Sequence, residues 1–502
     1  MHILGSIIAG FHVALTPANL LYCVIGATLG TVVGILPGLG PLTTIAMLLP
    51  ITFKMPAVSA LIMLSGIYYG AHHAASTTAI MLNMPGEPTS VVICFDGHPM
   101  ARQGRAGPAL CIAALSSFFA GCVAVLIIAL FSPVLADIAL DFSAPEYTSM
   151  MVLALVSAAT LSDGPALTSL AMVVLGLLLG TVGTDINSNV QRFTFGLPNL
   201  YDGLDFVVVA VGLFAVAEIV WRLQHHHAPA QAQTLGKVRG LLPRREDLAA
   251  SWKPILRGTA LGGALGVLPG TGPLISSFAS YGLERSLARD PTRFGNGAIE
   301  GVAGPEAANN AAALTHFIPM LTLGIPAGAA NALMLGALII QGITPGPGVM
   351  TDHADLFWGV VASMWIGNAM LLVLNLPLVG LWIRLLRLPY RLLYPGIIAF
   401  SCIGVYSLAN SAWDVILAAG FGVAGYILTA LGCRPAPLIL GLVMGPLLEE
   451  NLRRSLLISR GDPTILLTHP ISAGFLALTV AILAAQVARG VAARRQRLSA
   501  AG

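Results

Sequence analysis

Polar side chains are rare in this chain, so the few that sit among apolar neighbours are where its chemistry must be sought. Ser76, Thr77, Thr78 and Asn83 interrupt an otherwise apolar stretch, and Glu87 follows Pro85-Gly86. Farther along, Pro305 and Glu306 precede Asn309 and Asn310, with Gly324, Pro326 and Gly328 behind them. Hydroxyls and amides donate hydrogen bonds to a carboxylate and also lend oxygens to a cation. A carboxylate such as Glu306 is costly in so apolar a setting, which marks it as a functional candidate. An equally good account makes it the start of a helix, with proline first and the acid favoured by the helix dipole. The two roles are compatible.

Two further strings bear on the same chemistry: Pro37-Gly38-Leu39-Gly40-Pro41 and Pro269-Gly270-Thr271-Gly272-Pro273. Proline removes a backbone donor and clashes with the preceding turn, while glycine admits positive φ, so each string must interrupt a helix. The bare N–H groups that open a half-helix suit a carboxylate, here at Gly38, Gly40, Gly270 and Gly272. The bare carbonyls that end one suit a cation such as Na⁺. Thr43 and Thr44, just past the first string, join Glu306, Asn309 and Gly324 as candidates for holding a coupling cation, Na⁺ or H⁺. A kink that merely shapes packing is the plainer reading, but two such strings at matching positions favour a site.

His72-His73 invites a metal or catalytic reading. Adjacent histidines on a helix point in different directions, and neither an HExxH pattern nor an acidic third ligand lies nearby in sequence. They are expected to line a pore or pack, and to influence specificity. No metal or other cofactor is expected. The rival class is an intramembrane enzyme in which His72 or His73 works with Glu306 as acid and base on a lipid-soluble substrate. The sequence has no phosphate loop, nucleophile elbow or nucleic-acid patch.

The elements that hold these residues follow from composition. Of 502 residues, 56% are hydrophobic and 9% are Asp, Glu, Lys or Arg, with mean hydropathy +0.84. Soluble domains carry about 25% charged residues, so this chain cannot cover a water-facing surface of its size. Apolar runs at 108–131, 204–221, 356–383, 413–432 and 466–488 are long enough to cross a hydrocarbon core. An all-α polytopic membrane protein with about 10–12 crossings is expected. The six cysteines form no CxxC pair and read as small buried hydrophobes. No cleaved signal peptide is expected.

Residues 30–42 read GTVVGILPGLGPL and residues 262–274 read GGALGVLPGTGPL, an offset of 232. The loop after the first copy is basic (Arg102, Arg105), and the loop after the second is acidic (Asp352, Asp355). Basic loops mark the cytoplasmic side, so the copies are expected to be inverted-topology repeats. Residues 1–222 form the first membrane repeat, 223–256 a basic cytoplasmic linker, 257–488 the second repeat and 489–502 a basic cytoplasmic tail. Strict mirror symmetry would put the tail outside, so either 436–448 is an additional crossing or it is re-entrant.

GILPGLGP (34–41), STTAIMLNMPGE (76–87), DGHPMARQGRAGPAL (96–110), PEAANNAAA (305–313), LTLGIP (321–326) and GITPGP (342–347) resemble the large membrane subunit of the tripartite tricarboxylate transporters. The resemblance runs from about residue 15 to about 460. It implies a bacterial inner-membrane permease that works with a small membrane subunit and a periplasmic solute-binding protein. It further implies import of a tricarboxylate or similar carboxylate, coupled to a cation gradient. Where the family has YGGQYGGSTTA, this chain has YGAHHAASTTA (69–79), with Ala71, Ala74 and Ala75 for glycines and His72-His73 for Gln-Tyr.

Overall fold

The structure is a computed structural model that describes residues 3–36, 40–161, 165–185, 187–224, 240–268, 272–385 and 390–500. The sole strands among them are two residues each, Gly183–Thr184 paired antiparallel with Gln191–Arg192. The rest is helix and short connections. The first half comprises α1 (Ile3–Ala14), α2 (Pro17–Ile35), α3 (Pro41–Thr52), α4 (Ala57–Leu82), α5 (Val91–Arg102), α6 (Ala106–Leu140), α7 (Ala144–Leu161) and α8 (Ala166–Gly180). It ends with α9 (Phe206–Ala210) and α10 (Ala217–Gln224), joined by a π-helical turn. The second half begins with α11 (Arg245–Gly266), α12 (Gly272–Leu287), α13 (Glu300–Thr315), α14 (Phe317–Thr322) and α15 (Ala329–Ile340). There follow α16 (Val349–Asp352), α17 (Ala354–Asn375), α18 (Val379–Leu385), α19 (Tyr390–Ala409), α20 (Ala412–Ala430), α21 (Ala436–Ile458), α22 (Ile465–Thr468) and α23 (Pro470–Ala500).

Among the described residues six helices are long and apolar enough to cross a membrane: Pro17–Ile35, Ala106–Leu140, Phe206–Gln224, Ala354–Asn375, Ala412–Ala430 and Pro470–Ala488. Five shorter apolar helices accompany them. The chain is an all-α, multi-pass membrane protein. α20 and α23 leave most of their apolar surface exposed, as lipid-facing helices must, whereas α4 is buried along Ser59–Ile80 and α13 along Gly301–Thr315. α4 spans 26 residues, about 39 Å at 1.5 Å per residue. It falls outside the apolar set because its hydroxyls and histidines are turned into protein, where no lipid meets them.

Helix directions explain how the breaks are placed. Gly26, Gly30 and Gly34 on α2 abut the backbone of Met63, Ile67 and Ala71 on α4, so both indices rise together and the helices run parallel. The chain must therefore return between them. α3, with 12 residues, covers only about 18 Å of that return. α2 ends opposite Ala71, midway along α4. In the second half Gly258, Gly262 and Gly266 on α11 abut Gly304, Ala308 and Ala312 on α13 in the same way. These glycines lie 232 positions beyond the first three, and their partners 241 beyond. Only glycine lets backbones approach so closely in a membrane, where dispersion contacts replace the hydrophobic drive.

The correspondence extends to chain reversals. α4 ends on Asn83 (φ 54) and α14 is followed by Gly324 (φ 70), 241 positions on. Met84 N–H reaches back to Thr78 O and Ile325 N–H to Pro319 O, the six-residue closure of a Schellman cap. The glutamines that follow α5 and α15 then reach across to the opposite copy. Gln103 Nε2 donates to Asn296 O in the α12–α13 connection (2.9 Å), and Gln341 Nε2 donates to Thr52 O (2.9 Å) and Met55 O (3.0 Å) at the α3–α4 corner.

Three expectations are refined. Pro305 lies inside α13, so Glu306 is a mid-helix residue and not the first turn of a helix. The stretch 223–256 is already helical from Arg245, while 225–239 lie outside the described residues. Segment 436–448 is the apolar start of one continuous helix, Ala436–Ile458.

Candidate functional site

α4 and α13 meet at the centre of the molecule and run antiparallel. Ser76 in the second half of α4 touches Glu306 in the middle of α13, and Tyr68 touches His316 just past its end. Their shared midpoint lies between Ala71 and Ala312, the residues against which α2 and α11 end. α2 and α11 thus end at one height in the bundle.

At one end of this seam stands Glu306, fully buried. Its Oε1 accepts from Ser117 Oγ on α6 (2.7 Å), Asn310 Nδ2 (3.0 Å) and Ser76 Oγ (3.4 Å). Asn310 Nδ2 also lies 2.8 Å from Ser117 Oγ. Oε2 has no hydrogen-bond partner among the described residues, and neither amide atom of Asn309 nor either ring nitrogen of His73 has one. Asn309 follows Glu306 by one turn, and His73 precedes Ser76 by one turn, so these groups share the seam.

At the other end lie aromatic and imidazole groups. The Tyr68 hydroxyl is 3.1 Å from His316 Nδ1, and the Tyr68 ring packs edge-on against His72, with centroids 4.7 Å apart. His72 Nδ1 is 2.5 Å from Glu87 Oε1, which also accepts from Thr89 Oγ1 (2.8 Å). Glu87 is carried there by the turn after Pro85, and Gly86 fits against Gly34 O and Ala75. Gly272, at φ 50, opens α12 with His316 Cε1 as its nearest neighbour, 3.8 Å from where a Cβ would stand. The second break therefore borders the histidine end directly.

Not every anticipated residue joins this cluster. Gly38 and Gly270 lie outside the described residues. Gly40 is the N-cap of α3 with open space around it. Thr44 Oγ1 turns back to Gly40 O (3.3 Å), and Thr43 is half-buried on the same turn. Thr78 Oγ1 bonds Ala75 O (3.0 Å), and Thr77 is buried on α4. Asn83 and Gly324 serve as helix caps, a backbone role. Ser76, Glu306, Asn309, Asn310, His72 and His73 are brought together.

A model of the tripartite tricarboxylate transporter TctA family matches residues 20–440. The chain belongs to this family. A protein of Agrobacterium vitis described as an uncharacterized 52.8 kDa protein in the TAR-I ttuC' 3'region is 52% identical over 498 residues, 99% of each chain. A second from the same organism, described as lying in the TAR-II ttuC' 3'region, is 59% identical over 217 residues, 43% of this chain and 90% of that one. No solved structure matches.

In this TctA-family chain the alanines at 71, 74 and 75 are completely buried, so their methyl groups fill helix interfaces and leave backbone close approach to Gly34 and Gly86. Of the histidines that accompany them, His72 lies against Tyr68 and Glu87, and His73 has no hydrogen-bond partner among the described residues. Glu306 takes its hydrogen bonds from Ser76, Ser117 and Asn310, and no histidine is among its donors. The acid–base pairing of the enzyme reading is therefore absent from this geometry; His72 faces Glu87 instead. Three residues of the cluster were not singled out from sequence: Tyr68, Ser117 and His316. Glu87 was noted there as a charge beside a Pro-Gly break, without a role.

Proposed function

We propose that the chain is the permease subunit of a binding-protein-dependent secondary transporter that imports a small organic anion, a tricarboxylate or other carboxylate. Membership of a tripartite transporter family supports this, together with one observation above the rest. Fully buried donors, Asn309 and His73, stand without partners beside the meeting point of two helix breaks. Buried polar groups are almost always hydrogen-bonded, so a cluster that lacks partners suits a ligand bearing acceptors. Ser76, Asn310 and the N–H groups opening α3 and α12, at Gly40 and Gly272, complete the proposed anion site; Gly38 and Gly270 stay candidates for it on sequence alone.

The two copies, antiparallel along α4 and α13 and latched to each other by Gln103 and Gln341, fit inverted repeats that expose the site alternately to either side. A cation gradient, Na⁺ or H⁺, would drive accumulation. The small membrane subunit and the periplasmic solute-binding protein are proposed partners, and the bacterial inner membrane the proposed location.

The experiment is uptake of a panel of labelled di- and tricarboxylates into proteoliposomes holding the permease, the small membrane subunit and the binding protein. Accumulation is expected for at least one carboxylate when an ion gradient is imposed, and Asn309→Ala should impair it. Uptake indifferent to both gradient and binding protein would overturn the reading.

A further inference from the structure

We propose that Glu306 is a proton-binding group of this transporter, neutral as the carboxylic acid in the buried state and ionised when the α4–α13 seam opens to water. The proposal rests on the transport reading above and names its coupling ion.

Seven carboxylates are buried among the described residues. Glu87, Glu146, Asp185, Asp247 and Glu284 each have a histidine or arginine within 4 Å. Asp96 lacks one, but its Oδ1 accepts the N–H groups of Gly295, Gly297 and Ala298, and its Oδ2 accepts from Tyr281. Glu306 alone has neither a cation nor a backbone donor, and its Oε2 has no partner at all. An ionised carboxylate without a counter-charge in such surroundings would cost several kcal/mol. Gaining one proton removes that charge with no change in packing.

The groups facing it do not alter this. α4 presents His72 and His73; the first lies against Glu87, and the second has no hydrogen bond. Glu87, on the turn after α4, lies against His72 and offers Glu306 no counter-charge. α6 presents the hydroxyl of Ser117. α12 presents Ser277 and Glu284, the latter held by Arg257 of α11 through Nε at 2.8 Å. α5 presents Asp96, satisfied as described. A metal cation is the poorer occupant. Ser76, Ser117 and Asn310 converge as donors on one oxygen, and α13 is helical throughout this turn, so no ring of bare carbonyls stands ready to replace a hydration shell. The balance of the step is one proton: Glu306 carboxylate takes H⁺ from the side it faces and returns it to the other.

Infrared difference spectroscopy of the full chain in lipid nanodiscs reads this directly, without substrate. Between about pH 5 and pH 10, the wild type should show the carbonyl stretch of a buried protonated carboxylic acid. That band should vanish in Glu306→Gln and move in Ser117→Ala, which loses one hydrogen bond to it. Should Glu306→Gln fail to fold, the Ser117→Ala shift decides. An acid-band region identical in all three proteins overturns the proposal. So does a band abolished by Na⁺ but not by choline at fixed pH, since the site would then take a metal cation. Failure of the transport reading is seen separately, as absent uptake by the wild-type three-component proteoliposomes. Where uptake is present, Glu306→Gln should retain carboxylate exchange and lose accumulation driven by a pH gradient.

Discussion

Asn309 carries both amide atoms into the core without a hydrogen-bond partner, whereas its neighbour Asn310 bonds Glu306 and Ser117. An unpaired buried amide costs about 1–3 kcal/mol. Replacing Asn309 by alanine should therefore leave the melting temperature in detergent unchanged or slightly raised, while carboxylate affinity falls about tenfold, the effect of one lost hydrogen bond of about 1.4 kcal/mol. Asn310→Ala should instead lower the melting temperature, because it strips Glu306 of a donor. Such opposite responses from adjacent residues would separate ligand contact from scaffold, and equal responses would refute the distinction. Sequence alone marked Glu306, both asparagines, Ser76 and the histidines, because each stood out against apolar neighbours. It could not mark Ser117, one of three serines in a long apolar helix, or His316. Their roles come from contacts nearly 190 and 250 positions away along the chain.

The elements are held by close backbone contact, and that makes glycine the vulnerable residue. At Gly262 a side chain would strike Ala308 O and force α11 away from α13. Gly262→Leu should cost about 1–3 kcal/mol, read as a lower melting temperature, whereas Gly282→Leu on open surface should not. The paired glutamines make a different prediction. Gln341→Ala removes two hydrogen bonds from one latch and Gln103→Ala removes one from the other. Each bond is worth about 1 kcal/mol, so the two variants should shift the balance of open states about five- to thirtyfold in opposite directions. Accessibility of cysteines placed along the seam measures this; shifts of the same sign would exclude opposed latches. The helix breaks were legible, since proline and glycine act locally. The direction of each return was not, because it follows from which faces of α2 and α4 meet.

For the whole molecule, opposed copies require that Arg102 and Asp352, both exposed, lie on opposite sides of the membrane. Single cysteines there, in a background lacking the native six, should react with an impermeant reagent from opposite faces, and labelling from one face would rule out inversion. Outside the membrane, the connection after α8 is tied to α21. Ser188, then the Asn187 N–H and Arg453, hold the Asp185 carboxyl down to about 2. A carboxyl lowered on folding stabilises the protein above its unfolded value of about 4, and that contribution disappears as pH falls toward 2. Wild type should lose thermal stability over this window more steeply than Asp185→Asn.

The 241-position correspondence that aligns the packing of α4 and α13 sets Glu306 opposite Ser65, whose hydroxyl merely bonds Ile62 O at 3.0 Å. The scaffold is duplicated but its acid is not. If the copies alternate as proposed, the stroke that exposes Glu306 and the stroke that buries it differ in hydration, and so in barrier. Rectification, a preference for inward over outward flux under equal gradients, would then be built into a single residue that the other copy never acquired or did not keep.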